Sequence, residues 1–127
     1  MIKNNELYKC NKCDYIVEMI HGGACEMKCC DEEMELLKAI QKEEGTEKHI
    51  PIITVDADKI KIDIGEVPHP MVEEHWINFV ELFVGDQIFR QELYPGDEPS
   101  VTFNVASKGE EVSARIYCNI HGLWPSN

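Results

Sequence analysis

The sequence has no long hydrophobic run, no apolar leader and little positive charge. No stretch approaches the roughly 18 apolar residues of a membrane-spanning helix. The opening "MIKNNELYKC" has no apolar run before its first cysteine, where an export signal would need one. A soluble, cytoplasmic protein that does not enter the membrane is the expectation. Lys and Arg number 12 against 24 Asp and Glu, a formal net charge of -12. The deficit is general: residues 1–38 carry 5 basic and 8 acidic side chains, and residues 39–127 carry 7 and 16. Nucleic acid is therefore disfavoured as a partner, because phosphate contacts need a basic face. An anionic substrate would need a local cation to overcome the field.

What the chain does have is cysteine and histidine, unevenly placed. All but one of the 6 cysteines precede residue 31, and four of the 5 histidines follow residue 48. With 127 residues the chain can bury one modest core, or a smaller core with a metal-stapled appendage. Without an export signal, metal or redox use of the thiols is favoured over disulfides. Between the two groups, "KAIQKEEGTEK" (38–48) is charged, contains a glycine and reads as a linker. Met34, Leu37 and Ile40 recur at helical spacing, so residues 32–42 form either a short helix or the end of a hairpin followed by linker.

Residues 39–127 read as strands. "KIKIDI" (59–64) alternates polar and apolar residues, as do Val101, Phe103 and Val105, and "WINFVELFV" (76–84) is rich in aromatic and β-branched residues. "VGDQ", "YPGDEP" and "SKGEE" supply turns between them. Several short strands at this spacing predict an antiparallel β-sandwich or barrel.

Two constellations carry chemistry. "CNKC" puts Cys10 and Cys13 on a knuckle, and Cys29 and Cys30 follow after fifteen residues. Four thiolates suit zinc or a mononuclear iron, and spacing does not separate a structural zinc ribbon from a redox site. The adjacent pair is unusual for a ribbon and should distort the sulfur tetrahedron. Cys25 is left either as a free thiol or as an alternative ligand. At the other end, "YCNIHGLW" offers Cys118 and His121, and His49, His69 and His75 are the available partners. Val112, Ala114, Ile116 and Cys118 alternate along one strand, which turns Cys118 to the buried side.

Four imidazoles and one thiolate exceed what zinc normally takes and point to iron with a sixth position open. Prolines flank His69 on both sides, and Pro51 follows His49 two residues on, which predicts rigid loops without helix or strand. His21, beside "GG", reads as an ordinary surface imidazole. Glu47 and Lys48 precede His49 and would lie near the open position, Lys48 as the local cation and Glu47 as a ligand or proton relay. A blue-copper carrier using Met71, and a module with two structural zincs, are the rivals; the first lacks a methionine after His121, and the second leaves the fifth ligand unexplained.

Taken together, "CNKC" with "CC", "EKHIP", "HPMVEEHW" and "CNIHGLW" resemble the desulfoferrodoxin family of two-iron superoxide reductases, from Tyr8 to Trp124. The resemblance implies a mainly β protein: a small desulforedoxin-like domain over 1–38 and an immunoglobulin-like antiparallel β-sandwich over 39–127. It implies one iron held as FeS4 by Cys10, Cys13, Cys29 and Cys30. It implies a second iron with His49, His69, His75 and His121 in its equatorial plane and Cys118 axial. It further implies superoxide as substrate, Lys48 steering it, Glu47 at the sixth position of the oxidised iron, a rubredoxin-like electron donor and a homodimer. Cys25 is not among the family's thiol ligands.

Overall fold

The computed structural model describes residues 1–40 and 46–126, apart from the side chains of residues 46 and 47. Two compact units divide the chain, Met1–Lys38 and Ala39–Asn127. The first carries β1 (Leu7–Lys9), β2 (Ile16–Glu18), β3 (Lys28–Cys29), β4 (Glu32–Glu33) and β5 (Glu35–Leu36). β1 lies between β2 and β5, and β3 and β4 form a separate hairpin. Residues 32–33 and 35–36 are thus strand on either side of Met34, and the hairpin alternative for residues 32–42 is the one adopted as far as residue 40; residues 41 and 42 lie outside the described residues.

The core cluster of this unit has three buried side chains, Tyr8, Cys10 and Met34. Ordering a residue costs about 1–2 kcal/mol of backbone entropy alone. So small a core does not offset that cost over the length of the unit, and metal binding is its natural source of folding energy.

The second unit opens with one helical turn, α1 (Thr46–His49), followed by β6 (Pro51–Val55), β7 (Ile60–Ile64), β8 (Ile77–Val84), β9 (Gln87–Glu92), β10 (Ser100–Phe103), β11 (Val112–Cys118) and β12 (Gly122–Pro125). Two antiparallel sheets result, ordered β10-β7-β6 and β12-β11-β8-β9. The chain changes sheet after β7, after β9 and after β10, as in an immunoglobulin-like sandwich. Ile60, Ile62 and Ile64 of β7 are buried with Val80, Leu82 and Val84 of β8 and Ala114, Ile116 and Cys118 of β11. Each such aliphatic side chain contributes about 1.5–3 kcal/mol by leaving water. In β7 and β11 the period-2 pattern therefore marks the face that is inside.

Two expectations are corrected here. His49 does not sit on an irregular loop but closes α1, which ends because Pro51 pulls Ile50 out of helical geometry. Val105 lies beyond β10: its N–H bonds to the Phe103 carbonyl at 2.9 Å, a turn rather than a ladder contact.

Candidate metal centres

In the first unit the thiols of Cys10, Cys13, Cys29 and Cys30 lie within 4.8 Å of one another. The Cys13 and Cys29 sulfurs are 3.5 Å apart, and those of Cys29 and Cys30 are 3.9 Å apart. Sulfurs bound at about 2.3 Å to a tetrahedral ion stand about 3.8 Å from each other, so the cluster has the size of an S4 cage. All six cysteines are free thiols. The adjacent pair follows from local geometry. Cys29 pairs with Glu32 across the β3–β4 hairpin, leaving Cys30 and Asp31 as a two-residue loop with φ of 53° and 60°. Positive φ at both positions is the mark of a type I′ turn, which swings the second thiol back towards the first.

In the second unit, donor atoms of His49, His69, His75, Cys118 and His121 also converge within 4.8 Å. The four rings form a square. Neighbouring centroids are separated by 4.7 Å (His49–His69), 4.6 Å (His69–His75), 4.9 Å (His75–His121) and 4.7 Å (His121–His49). Across the diagonal, His49 and His75 are 6.4 Å apart, close to the square root of two times a side. Adjacent rings are steeply inclined, at 65° to 78°, like blades around an axle.

The sandwich builds this square from three places: α1, the connection between β7 and β8, which carries both His69 and His75, and the turn joining β11 to β12. The register between β11 and β8 shifts between Tyr117 and Cys118, so that Cys118 pairs with Ile77 and Asn78 is bulged. Cys118 is fully buried at the strand end, and its sulfur accepts the His121 N–H at 3.4 Å and lies 3.7 Å from His121 Nδ1. Asn119 fastens this turn to the His75 loop. Its Oδ1 accepts the Trp76 N–H at 2.9 Å, its Nδ2 donates to the Glu74 carbonyl at 3.0 Å, and its own N–H reaches the Trp76 carbonyl at 3.2 Å. His75 is further tied back by a two-way bridge to Val72.

The donor set fits a cation. His69 Nδ1 donates to the Pro70 carbonyl at 2.7 Å, which fixes the tautomer and leaves the lone pair on Nε2. That Nε2, like Nε2 of His75, is buried with no hydrogen-bond partner among the described residues. A buried polar atom left that way costs about 1–3 kcal/mol, and a metal ion removes the cost. Burial pushes the His69 imidazole down to about 4, against the opposing Pro70 bond, and burial likewise lowers His75, helped by the charges of His121 and Lys48. Both rings are neutral, and ready to ligate, at neutral pH. Burial raises the Cys118 thiol, although N–H bonds from His121 and Ile120 pull the other way. In the first site, N–H bonds from Cys13 and Lys12 bring Cys10 down to about 6, whereas sharing with Cys13 pushes Cys29 up to about 12 and raises Cys30.

The nine ligand candidates thus fall into two groups of four and five. Lys48 is exposed, directly before His49, and close enough for its charge to act on His75. Glu47 lies in α1, and its side chain is outside the described residues. Cys25 and His21 are exposed and belong to neither group. Sequence reading passed over Asn119 and Trp124, although both stand inside "CNIHGLW".

Comparison with known proteins agrees with this geometry. The family model described as desulfoferrodoxin matches residues 41–127, and the desulfoferrodoxin N-terminal domain matches residues 2–37. A desulfoferrodoxin homolog of Methanothermobacter thermautotrophicus is 44% identical over 124 residues, 98% of this chain and 99% of that protein. The desulfoferrodoxin of Nitratidesulfovibrio vulgaris is 42% identical over 119 residues, 94% of this chain and 93% of its own. Among solved structures, the superoxide reductase from Treponema pallidum superposes with a TM-score of 0.77 at 27% identity, over 96% of both chains.

Proposed function

This chain belongs to the desulfoferrodoxin family, and from that premise we propose that it works as a superoxide reductase. The observation that carries the reading is the square of four imidazoles with a buried thiol, five donors where zinc would take four. Superoxide takes up one electron and two protons to become hydrogen peroxide. A ferrous ion held by His49, His69, His75, Cys118 and His121 would supply that electron.

The chain's own residues do the rest. Lys48 draws a small anion towards a protein whose net charge would otherwise repel it. Glu47, two residues before His49, would serve as a proton relay or as a further ligand to a metal held there. Cys118, fully buried at the end of β11, would be the thiolate among the ligands and would donate electron density to an iron held there, as thiolates do in haem enzymes. Protons come from solvent at the exposed side, where Lys48 stands.

The Cys10, Cys13, Cys29 and Cys30 site completes the two-iron set as an FeS4 centre. Residues 1–38 then form a desulforedoxin-like domain that passes electrons from a rubredoxin-like donor, and residues 39–127 form the reductase domain. A cytoplasmic homodimer belongs to the same reading. A rival blue-copper reading needs Met71 as a ligand, but Met71 packs against the sandwich core.

The decisive experiment is a superoxide pulse on reduced, iron-loaded protein with product stoichiometry. One hydrogen peroxide per superoxide, with no dioxygen released, is expected. Half that yield together with dioxygen would make the protein a dismutase, and no consumption above the spontaneous rate would remove the enzyme reading.

A further inference from the structure

Gly65 follows the last residue of β7 and has φ of 84°, the left-handed region. A Cβ built there would stand 2.6 Å from the Lys48 carbonyl oxygen and 2.6 Å from the Val67 carbonyl oxygen, well inside any real carbon–oxygen contact. Its N–H meanwhile donates to the Ile50 carbonyl at 2.9 Å. The segment carrying Lys48 and His49 and the loop carrying His69 therefore touch through the bare α-carbon of this residue. Both obstacles are backbone atoms, which cannot rotate away as a side chain would.

We propose that Gly65 is a positioning residue of the second metal centre: its lack of a side chain sets the spacing of the Lys48–His49 turn from the His69 loop. The His49–His69 side of the square, 4.7 Å between centroids, is the quantity it controls. The same contact fixes the Lys48 backbone, so Gly65 also places the steering cation; that second consequence rests on the reductase reading, whereas the first does not.

The test compares Gly65→Ala with Gly109→Ala in the full chain. Gly109 has φ of 78° and open space around its added Cβ, so it suffers the same backbone strain without the collision. It precedes β11, whose length of about 20 Å separates it from Cys118. Cobalt(II) is the probe, because its ligand-field and thiolate bands report geometry independently of turnover. Gly65→Ala is expected to weaken cobalt binding at the histidine site about tenfold or more in chelator competition and to shift its bands. Gly109→Ala should lose thermal stability through the backbone strain alone yet keep the wild-type bands and affinity. Unchanged bands and affinity in Gly65→Ala would overturn the proposal, as would equal losses in the two variants.

Should Gly65→Ala fail to fold, amide exchange in the wild type decides. Loading zinc should slow exchange of the Gly65 N–H about tenfold, and leave the Gly85 N–H, bonded to the Glu111 carbonyl at 2.9 Å, little changed. Equal effects on both amides would overturn it. A wild type that binds cobalt but does not consume superoxide would refute the reductase reading alone, leaving these spectral and exchange outcomes to judge Gly65.

Discussion

Trp124 stacks face to face on His49, with centroids 4.6 Å apart and planes 11° from parallel, while its Nε1–H donates to the His121 carbonyl at 3.1 Å. One buried indole thus touches two neighbouring corners of the square, one through its face and the other through its edge. The turn after β11 and the turn of α1 are far apart in sequence, and this ring joins them.

Removing it should loosen two ligands at once. Trp124→Ala is expected to weaken metal binding at the histidine site by about 10–100-fold, the usual cost of losing a residue that orients ligands. Trp124→Phe keeps a stacking face but gives up the hydrogen bond and part of the buried ring, so it should cost about 1–3 kcal/mol in stability, and less in affinity than the alanine variant. Chelator competition on both variants checks this. Equal affinity in the alanine variant and the wild type would show that the stack positions nothing.

Asn119 makes a similar argument from hydrogen bonds. Asn119→Ala strips the Trp76 N–H and the Glu74 carbonyl of their side-chain partner and should destabilise the metal-loaded protein by about 1–3 kcal/mol. Asn119→Asp keeps the acceptor for Trp76 and should lose less. Urea unfolding with metal bound measures both; an equal loss in the two variants would show that the Glu74 contact, not the Trp76 contact, holds the loop.

These ties explain where sequence reading stops. Ligand identity was legible because metal sites demand particular atoms: Cys-x-x-Cys, adjacent thiols, and histidines bracketed by prolines stand out without any structure. Strand faces were legible wherever one side is buried, as in "KIKIDI" and in the alternation that ends at Cys118. The supports were not. Asn119 meets residues more than forty positions away, and Gly65 matters through carbonyls of Lys48 and Val67, neither of which a local pattern marks. The helical turn at His49 was hidden because four residues carry no periodicity. The type I′ turn at Cys30 and Asp31 was hidden because neither residue is the usual Asn or Gly.

The shifted acidities give a pH dependence with a definite sign. In the metal-free fold His69 lies at about 4, below the ordinary 6.5, because burial disfavours its charged form. The unfolded chain therefore binds more protons between these values, and apoprotein stability should fall as pH drops from about 6.5 towards 4. Cys118 is raised instead, so it is protonated at neutral pH and must release its proton when a metal binds. Affinity at this site should accordingly rise with pH. Cobalt titration in weak buffer should show proton release that Cys118→Ser reduces, together with loss of the thiolate band. Unchanged proton release in that variant would remove Cys118 from the ligand set.

Lys48 offers the sharpest electrostatic test, because local and global charge have opposite signs. The chain carries a formal charge of -12, which repels superoxide, whereas Lys48 beside His49 attracts it. If the local cation dominates capture, added salt should slow the wild type, since screening sets in over about 10 Å at 0.1 M. In Lys48→Ala only the repulsion is left, so capture should be slower by about tenfold at low salt and should speed up as salt is added. The reversed slope matters more than the rate, because a general disturbance of the site would slow capture without changing its sign. Metal affinity and absorption should stay as in the wild type. Pulse radiolysis over a range of ionic strength measures all of this, and the same salt slope in both proteins would remove Lys48 from the steering role.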